Sequence, residues 1–305
     1  MTEAGVEVWR GSVTPWECDQ MGHLNTIFYV AKSMEGLAGL AAELGMPDAY
    51  SPQAQTTLIV REQHIRFLRE ARPGAGLVIT AGVVDMSETE ARLVLLMRHT
   101  DGALAATFQT VVACCAAGDG RPVPWPDHAR ARGETLRVDV PAQAAARSIS
   151  LQRPPVAATL QRAIDLGLKR TLLGAVRVGD CDVFGRMRTE LLISRVFEGS
   201  SHLGWARAEG EPRAAHLGGA VLEYRLIYSG WPRAGERVEL RSGWASADSR
   251  IRRAVHWLLD PDTGRCWGGA ESVLATFDLQ TRKMITASPE TVAAAQALTI
   301  AGLAL

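Results

Sequence analysis

The feature that most constrains this chain is an internal repeat. Residues 18–36 (CDQMGHLNTIFYVAKSMEG) align without gaps on residues 181–199 (CDVFGRMRTELLISRVFEG). Six positions are identical: Cys18/Cys181, Asp19/Asp182, Gly22/Gly185, Thr26/Thr189, Glu35/Glu198 and Gly36/Gly199. Unrelated sequences matched over such a window share about one position by composition, so a duplicated unit is expected rather than a local coincidence. The likeness continues with small changes of length, pairing Glu62 with Glu223, Pro73 and Gly76 with Pro232 and Gly235, and Gly102 with Gly264. A chain of 305 residues, 47% of them apolar, has room for two filled cores.

Each copy reads as a strand, a turn, a helix and four further strands. In the first helix Ile27, Val30, Ala31, Met34, Leu37, Ala38, Ala41 and Leu44 recur at helical spacing, with Asn25 or Thr26 placed to cap the start and Gly45 and Pro47 to stop it. Gly36 inside that pattern costs roughly 1 kcal/mol relative to alanine, which points to close packing of the backbone. Strands are expected at Val6–Val13, Thr56–Leu68, Leu77–Val84, Ala91–His99 and Ala103–Cys115. Their counterparts are Leu173–Val178, Gly219–Tyr228, Glu236–Ala245, Ile251–Leu259 and Gly268–Asp278. The fold class is therefore α+β, with domains at 1–117 and 156–305. Residues 118–155, rich in Pro, Ala and Arg, read as a linker with one short helix. A last helix is expected from Ser288, with Pro289 at its first position.

Composition excludes several function classes. Lys+Arg and Asp+Glu each total 33, so no excess of positive charge invites nucleic acid or an anionic membrane surface. The N-terminal MTEAGVEVWRGSV has no basic patch leading into an apolar run, and no stretch approaches the roughly 18 apolar residues of a membrane span, so a cytoplasmic protein is expected. The five cysteines include no CxxC pair, which speaks against a disulfide framework or a zinc site; no metal and no cofactor are expected.

The turn ahead of each helix carries a resemblance. The segment WECDQMGHLNTIFYV at 16–30 resembles the 4-hydroxybenzoyl-CoA thioesterase-like family, whose pattern is roughly D-x-x-G-H-x-N before the long helix; Asp19, Gly22, His23 and Asn25 match it. LIVREQHIRFLREARPGAGLVIT at 58–80 resembles the strand that follows the helix in that family. In the second copy VGDCDVFG at 178–185 matches at Asp182 and Gly185, while Arg186 and Arg188 replace the His and Asn. The resemblance implies two tandem hotdog domains, each a long helix wrapped by an antiparallel sheet, joined as an intrachain pseudo-dimer. Each site would then draw on both domains, and further pairing of chains into a homodimer stays open.

The implied activity is hydrolysis of an acyl-CoA or acyl-carrier-protein thioester. By resemblance, Asp19 is the nucleophile or general base, with Asp182 as its counterpart, and N–H groups near Asn25 and Thr26 hold the developing oxyanion. Gly22 permits the tight turn, and His23 and Asn25 position substrate or water. Glu35 and Glu198, retained in both copies, are expected to be partly buried substrate-site residues, with Thr189 near the start of the second helix. Arg186 and Arg188 either bind CoA phosphates or abolish the second site. Phe28, Trp205 and Trp244 either line an acyl tunnel or belong to the core. Two other readings stay open: a hotdog hydratase or dehydratase using Asp19 and His23, and a non-catalytic acyl-CoA binding module.

Overall fold

The computed structural model describes residues 5–204 and 216–305. Trp205 lies outside the described residues. The chain divides into two compact units, Met1–Ala146 with Gly179–Leu191, and Arg147–Val178 with Leu192–Leu305. The second Asp turn thus belongs to the first unit.

In the first unit the elements are β1 (Val6–Ser12), α1 (Thr26–Glu43), β2 (Thr56–Phe67), β3 (Gly76–Met86), β4 (Glu90–His99), β5 (Leu104–Ala116) and α2 (Asp127–Thr135). The strands run antiparallel in the order β1-β3-β4-β5-β2, with Val6 opposite Ala81, Leu77 opposite His99, Leu95 opposite Phe108 and Val60 opposite Val112. The second unit holds α3 (Leu160–Asp165), β6 (Lys169–Ala175), α4 (Leu191–Leu203), β7 (Leu217–Tyr228), β8 (Arg237–Ala247), β9 (Ile251–Leu259), β10 (Cys266–Asp278) and α5 (Pro289–Gln296). Its strand order is β6-β8-β9-β10-β7, the same plan strand for strand. Each unit is a hotdog, one long helix laid on an antiparallel sheet.

Glycine sets the closeness of that helix. A Cβ on Gly36 would meet Val8, Ile79 and Leu95 at 3.3 to 3.4 Å, and one on Gly39 would fall 2.2 Å from the carbonyl oxygen of Val8. In the other unit a Cβ on Gly199 would meet Thr171 Oγ1 at 3.0 Å and Leu240 at 3.2 Å. The helix penalty of glycine is therefore offset by contact between backbone and sheet. Val30, Leu37, Leu40 and Ala41 fill the interface of α1, and Leu192, Ile193, Val196 and Leu203 are the buried apolar residues of α4. Trp244 is core, packed with Leu203, Ala254 and Leu274, whereas Phe28 is half-buried.

The opposite face of each sheet is covered by the stretch between the repeats. In the first unit Val138 and Ala144 pack on Val94 and Leu96. Gln109 Nε2 donates to the Ala144 carbonyl at 2.8 Å, and Arg66 Nη1 donates to those of Gln143 and Ala145. In the second unit Glu223 accepts from the amides of Arg147 and Ser148 at 3.0 and 2.9 Å, and Arg225 Nη1 donates to the carbonyls of Ser150 and Arg153. Leu303 and Leu305 close that face together with Ala163 and Leu168 over Val255 and Trp257. No helix among the described residues is long and apolar enough to cross a membrane.

Candidate active site: two turns with one backbone

The first turn is built by its own side chains. Asp19 N donates to the carbonyl of His23 at 2.8 Å and Gly22 N to that of Asp19 at 3.0 Å, while Met21 N and His23 N both donate to Asp19 Oδ1, at 2.8 and 3.2 Å. Gly22 has φ 73° and open space where a Cβ would sit, so glycine is required here by conformation alone. Among the described residues no hydrogen bond reaches Asp19 Oδ2, and the residue is half-buried.

The helix start follows at once. Asn25 is the cap, its Oδ1 accepting from Ile27 N at 3.1 Å, while its own amide donates to Glu17 O at 2.9 Å. Phe28 N donates to Asn25 O and Ile27 N to Asn25 Oδ1, while the Thr26 amide has no acceptor among the described residues. Beneath the turn, Lys32 Nζ lies 2.7 Å from Glu17 Oε1, both side chains largely buried. Burial pushes the Glu17 carboxyl up, but the Lys32 ammonium and the Thr14 amide more than offset it, and the group lies below its ordinary range. Tyr29 backs the same turn. Burial drives its phenol up to about 12, opposed by the Ala71 amide bonded to its oxygen and reinforced by the charge of Asp19.

His23 is buried, with Nε2 3.2 Å from Glu70 Oε2. Burial pushes the Cys18 thiol up, and the charges of Asp19 and Glu17 add to this, so it is no thiolate nucleophile.

The second turn repeats this backbone. Asp182 N donates to Arg186 O at 2.7 Å, Gly185 N to Asp182 O at 3.0 Å, Arg188 N to Asp180 O at 2.9 Å and Leu191 N to Arg188 O at 3.0 Å. Phe184 N and Arg186 N donate to Asp182 Oδ1 at 2.8 and 2.9 Å, and Gly185 has φ 74°. Two differences matter. Arg186 Nε donates to Asp182 Oδ2 at 3.0 Å, so both carboxylate oxygens are engaged. Arg188 stands where Asn25 caps α1; a guanidinium cannot accept from an amide, and α4 begins at Leu191, two residues later than the repeat predicts from Thr26. Thr189 therefore sits in the turn ahead of the helix rather than in it.

The structure gathers Asp19, Gly22, His23, Asn25 and Thr26 at one turn and Asp182, Gly185 and Thr189 at the other. Glu35 is not part of the Asp19 turn. Glu35 lies nine residues into α1 from Thr26, about 13 Å along the axis. Both glutamates are exposed, correcting the expectation of partial burial: Glu35 accepts from Trp9 Nε1 at 2.7 Å, and Glu198 pairs with Arg195 and Ser194. Each satisfies a neighbour at the surface. Sequence reasoning missed the Glu17–Lys32 pair. Its signal was available, because Asp180 and Arg195 stand at the equivalent positions, an acid and a base kept with changed side chains.

Residues 13–133 match the model of the Thioesterase-like superfamily. That span holds the Asp19 turn, α1, β2 to β5 and most of α2, and excludes the Asp182 turn. Among solved structures, a Lactobacillus plantarum protein assigned as an oleoyl thioesterase shares the fold at TM-score 0.67 and 12% identity, over 93% of this chain and 98% of its own. The 12:0-ACP thioesterase of Umbellularia californica does so at 0.64 and 14%, over 88% and 93%. An acyl-ACP thioesterase from Bacteroides thetaiotaomicron does so at 0.60 and 9%, over 87% and 96%. No curated protein matches the sequence significantly.

Proposed function

We propose that this chain hydrolyses acyl thioesters, of CoA or of a carrier protein, at the Asp19 turn. One observation carries the reading: Asp19 Oδ1 is pinned by two amides, while Oδ2 is left without a hydrogen bond beside the start of a capped helix. A carboxylate held in that way has one oxygen to orient it and one to react. The Thr26 amide, at the positive end of α1, is the donor for the oxyanion that forms as the carbonyl carbon becomes tetrahedral. Collapse of that intermediate breaks the C–S bond. A thiol of ordinary pKa, about 8.5, leaves without a strong general acid. Asp19 either attacks the carbonyl carbon to give an anhydride or takes the proton of an attacking water. Single turnover in ¹⁸O-water separates the two routes, since only the anhydride route puts the label into Asp19. The family match over residues 13–133 and the thioesterases of the same fold support this chemistry.

The test is thiol release from a panel of short, long and aromatic acyl-CoAs and the matching carrier-protein thioesters. Asp19→Asn should lose turnover and Asp182→Asn should keep it. Turnover retained by a folded Asp19→Asn protein would refute the assignment.

A further inference from the structure

The Asp19 turn has two limbs, 17–19 and 23–25, which pair antiparallel through Cys18 and Leu24. Helix α1 reaches both of them. Lys32 Nζ lies 2.7 Å from Glu17 Oε1, Glu17 Oε2 accepts from Thr14 N at 2.8 Å, and the Glu17 carbonyl accepts from Asn25 N at 2.9 Å. On the other limb Leu24 N donates to the Ala71 carbonyl at 2.8 Å, and the amide of that same Ala71 donates to Tyr29 Oη at 3.2 Å. Tyr29 and Lys32 are only 4% and 5% exposed, and Ala71 is fully buried.

Three residues apart on α1, Tyr29 and Lys32 are neighbours on the helix surface, and helical side chains lean toward the start of their helix. Each is itself held. The Lys32 ammonium lies 5.2 Å from the centre of the Trp9 ring, whose Nε1 donates to Glu35, and the Tyr29 ring meets Phe67 edge-on at 5.2 Å. The second copy keeps an acid and a base at Asp180 and Arg195 but has Leu192, with no hydroxyl, in place of Tyr29.

A buried ion pair adds little stability beyond what an apolar pair of the same volume would give. What two such grips restrict is motion. Asp19 belongs to the turn and the Thr26 amide to the helix, so drift of one against the other changes the distance from the reacting oxygen to the oxyanion donor. We propose that Lys32 and Tyr29 are positioning residues, which clamp the two limbs of the turn to α1 and keep Asp19 in register with the Thr26 amide. Their effect on turnover rests on the thioesterase reading, while the clamp itself does not.

The experiment compares the intact wild-type chain with Tyr29→Phe and with the double variant Lys32→Met, Glu17→Gln. The double variant removes both charges together, so no ion is left buried without a partner. Tyr29→Phe removes one oxygen and keeps the ring against Phe67, which makes it the milder change. Two quantities are read: kcat and KM on an accepted thioester, and amide hydrogen exchange of peptides covering 19–26 against peptides from β3 to β5. The expected result is a fall in kcat of about tenfold in the double variant and about fivefold in Tyr29→Phe, with KM within about twofold of wild type. Exchange should quicken over 19–26 and stay as in wild type in β3 to β5. Exchange over 19–26 unchanged in both variants, or quickened equally throughout the unit as a merely structural role requires, overturns the clamp. Faster exchange over 19–26 with kcat unchanged overturns the positioning role. A wild type that hydrolyses no thioester would sink the thioesterase reading, and the exchange measurement would then decide the clamp by itself.

Discussion

Residues 17–28 and 180–191 make the same six hydrogen bonds through Asp, Gly and main chain, yet one carboxylate keeps an oxygen unbonded and the other has both engaged. Backbone geometry at such a turn is settled by two residues: the Asp that binds the amides two and four positions on, and the Gly that accepts positive φ. What the turn can do is settled by two others. The residue four after Asp decides whether Oδ2 is paired, and the residue six after decides whether the helix has a cap. In the first copy these are His23 and Asn25; in the second they are Arg186 and Arg188.

The largest expected effect tests the free oxygen directly. Asp19→Asn should lower kcat on an accepted thioester by a hundredfold or more, as loss of a nucleophile or base does, with Asp182→Asn within about threefold of wild type. Equal losses in the two variants would break the comparison.

The next contrast concerns what lies within each sheet. In the first unit one buried polar contact is made by neutral groups, Gln63 Nε2 donating to Ser33 Oγ and Thr110 Oγ1. In the second it is an imidazole: His256 lies 2.8 Å from Ser242 Oγ and 3.3 Å from Ser272 Oγ, and burial lowers its pKa from 6.5 to about 4. The unfolded chain takes up that proton first as pH falls. Stability from a neutral His256 is therefore complete above about 6.5, declines between 6.5 and 4, and is lost below, by up to about 3 kcal/mol. Urea denaturation at stepped pH should show this decline in wild type and a flatter profile over the same window in His256→Gln.

A third experiment converts one turn into the other. Arg186→His with Arg188→Asn, placed in Asp19→Asn, frees Asp182 Oδ2 and supplies a cap, so hydrolysis should rise about tenfold above the Asp19→Asn background. Failure of the graft, with circular dichroism showing the fold intact, would mean that residues beyond these two positions silence the second turn. The smallest expected effect is shared. Gly22→Ala and Gly185→Ala should each cost about 1 kcal/mol in denaturant melts, because both sites have positive φ. Only Gly22→Ala should also slow turnover.

How much of this was legible in the sequence follows from how local each feature is. The Asp-x-x-Gly turns, the Asn25 cap and the Ser288–Pro289 start of α5 are set by residues within four positions of one another, and the structure has them where the sequence puts them. Gly36 announced close packing, and a Cβ there would meet Val8, Ile79 and Leu95 at 3.3 to 3.4 Å. The late start of α4 was legible in principle, since Arg188 lacks the acceptor that Asn25 has. The surface positions of Glu35 and Glu198 were misjudged because identity between copies was equated with burial.

Residues 143–153 are gripped by their carbonyls and amides, through Arg66, Gln109, Glu223 and Arg225. Such a grip is indifferent to which side chains the gripped stretch carries, the buried side chains of Ala144 and Ile149 excepted. The information that fastens the stretch is written in the strands, over four positions, and the stretch itself is open to drift. Lineages of this chain should therefore diverge most freely along 143–153, and a library built there would vary the sequence without rewriting either unit.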